Sequence, residues 1–373
     1  MSSLLVYKNP QITDLEIANF RNIKQARISF NHNFNLIIGD NAQGKTNFLE
    51  SLSLLCCLKP LNSLVNNDLI KLGEEKSYLQ GHFTNTSCNK VTINIFPQGK
   101  KAFINEKSIK SSSSLSSNFS LVSFIPQELN MVTTTASLRR RALDLACINI
   151  MNEHAIYIKN YEKILLQRNA LLKSYPINQD LLLTFTQMMI QEAAVIIYNR
   201  LQIIDIIEPF FADKMQEIFE KGNYQIKYFI KEQEYKNLNI QQINNILFNI
   251  YESRKKQEII KKTTLFGPHL DDILFFINGM SAQKSCSRGQ SRALVLAFKL
   301  AQMVMINNIK QTIPLVILDD IVAELDQNKK ANLLEVIYSL KAQAFFSATD
   351  NNYFSKYKDT LILKAINGNI YYH

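Results

Sequence analysis

The stretch Gly39-Asp40-Asn41-Ala42-Gln43-Gly44-Lys45-Thr46 fits the pattern G-x-x-x-x-G-K-[ST]. In such a loop the backbone N–H groups can cradle phosphates, helped by the positive end of the helix that follows. Lys45 would reach the β- and γ-phosphates of a nucleoside triphosphate, and the Thr46 hydroxyl would ligate Mg²⁺. The flanks suit this chemistry, because apolar Phe34–Ile38 reads as a strand and Asn47–Leu58 as a helix. Glycine is scarce, ten in 373 residues against a usual share of about 7%. Five of them (Gly39, Gly44, Gly267, Gly279 and Gly289) fall in segments that carry chemistry, where backbone geometry is the natural reason for them.

A second element is Pro314-Leu-Val-Ile-Leu-Asp-Asp320, an apolar strand ending in two carboxylates. Beside a P-loop, Asp319 is placed to hold Mg²⁺ through water, and Asp320 to orient an attacking water as general base. Taken alone, the pair could be a surface turn. The third element, Ser287-Arg-Gly-Gln-Ser-Arg292, opens a helix, so Ser287, Gly289 and Gln290 could form a second phosphate-binding site. The alternative is an ordinary Ser N-cap with a tolerated glycine. Ser347 and Thr349, after a later strand, are candidate γ-phosphate sensors.

The order of these elements is more specific than any one of them. P-loop, then Ser287 about 240 residues later, then Asp319 about 30 beyond, is the order of an ABC-type ATPase head. Glu324-Leu325-Asp326 matches the D-loop of such heads. The chain resembles the RecF family of bacterial DNA replication and repair proteins, relatives of the SMC and Rad50 heads. The resemblance runs nearly end to end. It is carried by Leu15–Arg21-Asn22, by GDNAQGKTNFLE, by Phe124–Leu129, and by Leu138-Arg139-Arg140-Arg141 with Leu143-Asp144. It continues through Tyr161, Gln167-Arg168-Asn169, Leu172-Lys173, Gly267-Pro268-His269, Asp271-Asp272, the Ser287 segment and Leu318-Asp319-Asp320.

The resemblance implies an α/β fold, an ABC-type (SMC/Rad50-like) P-loop ATPase head with an inserted α-helical arm. It implies ATP and Mg²⁺, with ATP sandwiched between the P-loop of one subunit and the signature of another in an ATP-dependent homodimer. It further implies a clamp on DNA at single-strand gaps and junctions that works with RecO and RecR and helps load RecA. Gln127 could supply the loop that links the two lobes to Mg²⁺, or be a plain surface glutamine. Arg139–Arg141 are either phosphate contacts or a solvated face, and His269 reads as structural. Three departures stand out: Leu270 where Arg is usual, Arg288 for a usual Gln, and Thr134–Ser137 without the expected Gly-Ser-Pro.

These motifs need elements to position them. Short strands are expected over 11–38 and 77–109, a loop over the serine run 111–117, and helices from about 137 to 221. Residues 224–230 read as a strand, and strands and helices then alternate from 273 to 364. The expected domains are a first head lobe at 1–135, the arm at 136–261, and a second head lobe at 262–373.

Composition agrees with a globular chain, 46% hydrophobic and 20% charged. The net charge of +10 fits either simple solubility or a nucleic-acid partner. The longest apolar runs, Leu52–Leu58 and Ala193–Tyr198, fall far short of the roughly 20 residues of a spanning helix, so no membrane partner is expected. The N-terminus lacks a signal-peptide core, and the five cysteines form no CxxC pair or spaced framework, which points to reduced thiols and the cytoplasm. A transporter subunit would have its signature much nearer the P-loop. A full SMC or Rad50 protein would carry hundreds of heptad residues and a CxxC hook. An OLD-type nuclease would carry an acidic domain after the head, and a scaffold with a relict P-loop would not need Lys45, Thr46, Asp319 and Asp320 together.

Overall fold

The computed structural model describes residues 9–373 except 63–64, 110–112, 232, 355 and 358. The N-terminal segment read for a signal peptide therefore lies mostly outside the described residues, as do the first two of the serine run. In chain order the first elements are β1 (Gln11–Phe20), β2 (Ile23–Ser29), β3 (Phe34–Ile38), α1 (Lys45–Cys57), β4 (Ser77–Thr84), β5 (Lys90–Phe96), β6 (Gly99–Ile104), β7 (Lys107–Ile109), α2 (Ser113–Ser116) and β8 (Leu121–Phe124). Next come α3 (Ala136–Ile150), α4 (His154–Lys173), α5 (Gln179–Ile218), β9 (Tyr224–Ile230), β10 (Gln233–Tyr235), α6 (Ile240–Lys261), β11 (Asp272–Ile277), β12 (Met280–Ser281), α7 (Ala282–Ser285) and α8 (Arg288–Lys310). The last are β13 (Leu315–Leu318), α9 (Ile321–Glu324), α10 (Gln327–Ser339), β14 (Ala344–Ala348), β15 (Thr360–Ile366) and β16 (Asn369–Tyr372). The serine run is thus not all loop, since Ser113–Ser116 closes one helical turn.

The chain divides into two compact units, Met1–Leu129 with Gln302–His373, and Asn130–Ala301. The expected arm at 136–261 lies wholly within the second unit, which also takes in 130–135 and 262–301. In the first unit, two six-stranded sheets enclose one core. The antiparallel sheet runs β2-β1-β4-β5-β6-β7, and the other runs β16-β15-β3-β14-β13-β8. The strands β15, β3, β14, β13 and β8 of the latter are parallel. Their composition explains the difference: β4 alternates inward Leu79 and Phe83 with outward residues, whereas β3, β13 and β14 are buried at every position, as covered parallel strands are. Helix α1 lies in the core through Phe48, Leu49, Leu52 and Leu55, and Phe30 meets Phe48 and Phe345 at ring-centroid distances of 6.3 and 5.2 Å. Because β3, β13, β14 and β8 run the same way, their C-terminal ends share one edge, where ligands bind in open α/β sheets.

In the second unit, α5 packs against α4, α6 and β9. The buried guanidinium of Arg168 on α4 ties the helices together, bonding Thr186 of α5, Glu258 of α6 and Thr264 beyond it at 2.6–2.9 Å. A four-stranded antiparallel sheet, β10-β9-β11-β12, joins 224–230 to 272–277. Helices α5 and α8 are long and apolar enough to cross a membrane by length and composition, and the apolar window of α8 is 72% buried within the fold. All five cysteines are free.

Candidate nucleotide site

The P-loop follows β3 and is shaped by residues that only small side chains allow. Gly39 has φ +155, and a Cβ there would lie 2.5 Å from the carbonyl oxygen of Ala365 on β15. Gly44, φ +108, caps α1, and its Cβ would meet the Asn22 side chain at 2.9 Å. Asp40, Asn41 and Ala42 form the exposed crest. Gln43 is fastened to the β15–β16 hairpin, its carbonyl accepting from Gly368 N–H at 3.1 Å and its side-chain oxygen from Asn367 N–H. Asn22 braces the other side, accepting from the Asn47 amide of α1 at 2.8 Å. Neither brace was apparent as such in the sequence, although Asn367-Gly368 is a strong hairpin-turn signal.

The Lys45 ammonium is buried and donates to the carbonyls of Gly39 and Asp40 at 2.7 and 3.2 Å, with Asp320 Oδ1 3.8 Å away. The Thr46 hydroxyl donates to Asp319 Oδ1 at 2.9 Å. β14 pairs with β13 so that Phe346 faces Leu318, which sets Ser347 beside the two acids. The Ser347 hydroxyl donates to Asp319 Oδ1 at 2.8 Å and accepts from the Asp320 N–H at 2.7 Å. Asp320 sits at φ +49, in the left-handed region, and its carboxyl, beside Lys45 and 3.4 Å from the Ser347 hydroxyl, is partly exposed.

Asp319 is 3% exposed, and burial pushes its carboxyl above the ordinary range, against the hydrogen bonds from Ser347 and Thr46. Among the described residues it has hydroxyl neighbours and no ion pair. A buried carboxylate beside a hydroxyl, both hard oxygen donors, is a donor set that suits Mg²⁺. Thr46 and Asp319 are therefore the residues that could hold it. Asp320 and the Lys45 ammonium could face the phosphates of a nucleotide on the loop.

The remaining predicted residues lie elsewhere. Gln127 is exposed in the turn Pro126–Asn130 that follows β8, the neighbour of β13. Thr349 is exposed beyond β14. Ser287 belongs to the second unit, and there it caps α8. Its hydroxyl accepts from Gln290 N–H at 3.2 Å, while the Gln290 side chain accepts from Ser287 N–H at 2.8 Å. This is a capping box, readable in advance from Ser-x-x-Gln. Ser287 and Arg288 are exposed at the helix start, with Gly289 in its first turn.

The arginine run needs correction, since neither expected reading fits Arg139. It is 2% exposed and forms a bidentate pair with Asp272 at 2.8 Å, while also capping the carbonyls of Met131, Val132 and Thr134. Arg140 donates to the Asp271 carbonyl at 2.7 Å, and only Arg141 is exposed. The segment Gly267–Asp272 is likewise built into a polar network. Arg200 joins Asp144, Tyr228 and the Pro268 carbonyl, Tyr228 donates to Asp271 at 2.7 Å, and His269 meets Tyr161 at 2.5 Å.

The model of the RecF/RecN/SMC N-terminal domain matches residues 11–370. The RecF of Bacillus mycoides (strain KBAB4), a DNA replication and repair protein, is 31% identical over 345 residues, covering 91% of this chain and 92% of its own. The chain belongs to the RecF family. RecF of Bacillus cereus (strain G9842) is 30% identical over 368 residues, covering 96% of this chain and 98% of its own. Two solved structures of the recombination mediator protein RecF in the RecFOR pathway, RecF-ATPrS and RecF-ATP, superpose with TM-scores of 0.89. They are 26% and 25% identical and cover 98% and 100% of each chain. The SMC head of Pyrococcus furiosus, bound to the C-terminal domain of ScpA, matches at 14% identity with a TM-score of 0.54 over 97% of this chain and 95% of that one, a likeness of fold. The architecture is that of an ABC-type ATPase head.

Proposed function

We propose that this RecF-family chain is an ATP-binding protein of DNA repair, replication and recombination, acting in the RecFOR pathway as an ATP-driven clamp on DNA. One observation carries the nucleotide chemistry: Thr46, Asp319, Asp320 and Ser347 converge at the end of a P-loop whose Lys45 already lies buried beneath it. Lys45 would exchange the loop carbonyls for the β- and γ-phosphates. Thr46 and Asp319 would hold Mg²⁺, which when bound neutralises charge on the phosphate oxygens. Asp320, partly exposed, would accept a proton from the attacking water.

The composite site is the second half of the reading. Ser287 and Gln290 cap the start of a long helix with Gly289 in its first turn. The positive end of that helix could take a γ-phosphate presented by another copy of the chain, exchanging the cap bonds for it. Two subunits would then close around two ATP molecules, hold DNA at gaps or junctions, and release it on hydrolysis. RecO and RecR would meet the closed form, with RecA loading as its consequence, in the cytoplasm. The net charge of +10 supports a polyanionic partner.

The test is nucleotide binding, ATPase and sedimentation of Lys45→Met beside the parent. The parent should bind a fluorescent ATP analogue, hydrolyse ATP slowly and sediment as a dimer only with ATP. The folded variant should lose all three, and full ATPase in that variant would reject the P-loop assignment.

A further inference from the structure

A groove of about 810 Å³ lies in the second unit, on the face of the four-stranded sheet opposite α5. Along β9 the residues Tyr224, Ile226, Tyr228 and Ile230 are buried, so Lys227 and Phe229 point to the other face. The register sets Asp272 beside Phe229 and Leu274 beside Lys227, with Phe276 next along β11. An antiparallel sheet usually turns polar residues to water on its outer face. Here that face also carries Phe229, Leu274 and Phe276, and Ile250 of α6 and Leu270, 53% exposed, continue the apolar part.

The rim is basic. Lys231, Arg254 and Lys284 line the groove. Among the described residues Lys231 and Lys284 have no acidic partner, and Arg254 donates only to the Leu265 carbonyl, at 3.3 Å. Burial and then the neighbouring Arg254 pull the Lys231 ammonium below its ordinary value, against Glu258. The carboxylates nearby are already engaged: Asp272 by Arg139, Glu234 by Lys227 and Glu258 by Arg168. Asp271 is buried beneath the surface and takes the Tyr228 hydroxyl.

We propose that this groove docks an acidic segment of a partner protein that carries apolar side chains between its carboxylates. Charge complementarity selects an anion, and the lining selects among anions. A single strand of nucleic acid would need free aromatic faces for its bases. The Phe276 ring instead stacks on Phe229, with centroids 6.3 Å apart, and lies under the Lys227 ammonium at 5.0 Å. What remains open is aliphatic, from Leu270, Leu274 and Ile250, and it fits Leu or Ile side chains of a peptide. The site is independent of the nucleotide reading.

The experiment is fluorescence anisotropy with the full chain and a fluorescein-labelled peptide of alternating Asp and Leu. Two comparison probes are the same peptide with Ser for Leu, and labelled oligothymidylate. The parent should bind the Asp/Leu peptide saturably at low salt, and Lys231→Glu and Leu270→Asp should each weaken it roughly tenfold, the effect of losing one charge or one apolar contact. Both positions are at the surface, and matching thermal melts establish that the variants fold. Lys284→Glu, also exposed, gives a second charge reversal with the same expectation. Absence of peptide binding, equal binding of the Ser peptide, or indifference to these substitutions overturns the proposal. Tighter binding of oligothymidylate that the same substitutions abolish also overturns it, and makes the face a nucleic-acid surface.

Discussion

Thr46 donates its hydroxyl proton to Asp319 across 2.9 Å, although 273 residues separate the two in the chain. The parallel sheet makes this contact possible. Thr46 follows β3, Asp319 follows β13, and β14 lies between them, paired to both. Ser347, at the end of β14, completes the arrangement by bonding Asp319 and the Asp320 N–H together. Three separate stretches of sequence therefore reach one point because their strands share a direction.

Asp320→Asn should keep ATP binding and nucleotide-dependent dimerisation while slowing hydrolysis by a factor of ~10² or more, because the base is gone and the charge-neutral amide keeps the shape. DNA bound by this variant should be retained longer if, as proposed, the clamp opens on hydrolysis. Single-turnover ATPase and DNA dissociation rates measure the two effects, and wild-type turnover in the variant would remove Asp320 from the base role.

Arg139→Gln should destabilise the protein by about 3 kcal/mol or more, because it leaves Asp272 unpaired and three carbonyls uncapped. Arg141→Gln, on an exposed side chain, should cost less than about 1 kcal/mol. Urea unfolding of both variants checks the contrast. Similar losses would mean that Arg139 is not the keystone its burial indicates.

Much of this was legible in the sequence, and the exceptions have physical causes. The P-loop, the acidic strand and the helix at Ser287 could be placed because glycine spacing, an apolar run and a cap residue are local signals. The role of Arg139 could not be read, since a basic run looks the same whether solvated or buried until Asp272, 133 residues away, is known to face it. The pairing of β11 with β9 is hidden for a similar reason, because α6 intervenes between the two strands. The two-residue strand β12 is too short to show alternation. The braces on Gln43 and Gly44 depend on the distant turns at Asn367 and Asn22, so periodicity within the loop says nothing of them.

Two groups in the second unit give its stability opposite dependences on pH. Burial raises the Asp271 carboxyl from 3.8 to about 7, against its Tyr228 hydrogen bond and the charges of Arg200 and Arg140. Its contribution is full below the unfolded value and is lost as pH rises through about 7. Burial, with Arg140, Arg200 and Arg168, lowers His269 from 6.5 to about 4, so its contribution is full above the unfolded value and is lost as pH falls through about 4. Between these values the two slopes offset one another. Asp271→Asn removes one of them, so relative to the parent the variant should gain about 2 kcal/mol between about pH 5 and about pH 7.5. Urea midpoints at those pH values test this, and a constant difference would show that Asp271 is ionised throughout.

The intersubunit sandwich is the central claim, and mixing two inactive variants tests it most directly. On this account Lys45→Met would disable the P-loop half of each composite site, and Ser287→Arg would block the signature half by placing bulk where a partner's γ-phosphate would dock. A dimer of one subunit of each kind has one site with both lesions and one site with neither. The account predicts that each variant alone is inactive and that the mixture, at high protein and ATP, recovers part of the parental ATPase. If the mixture of folded variants recovers nothing, hydrolysis takes place within single subunits and the sandwich is wrong.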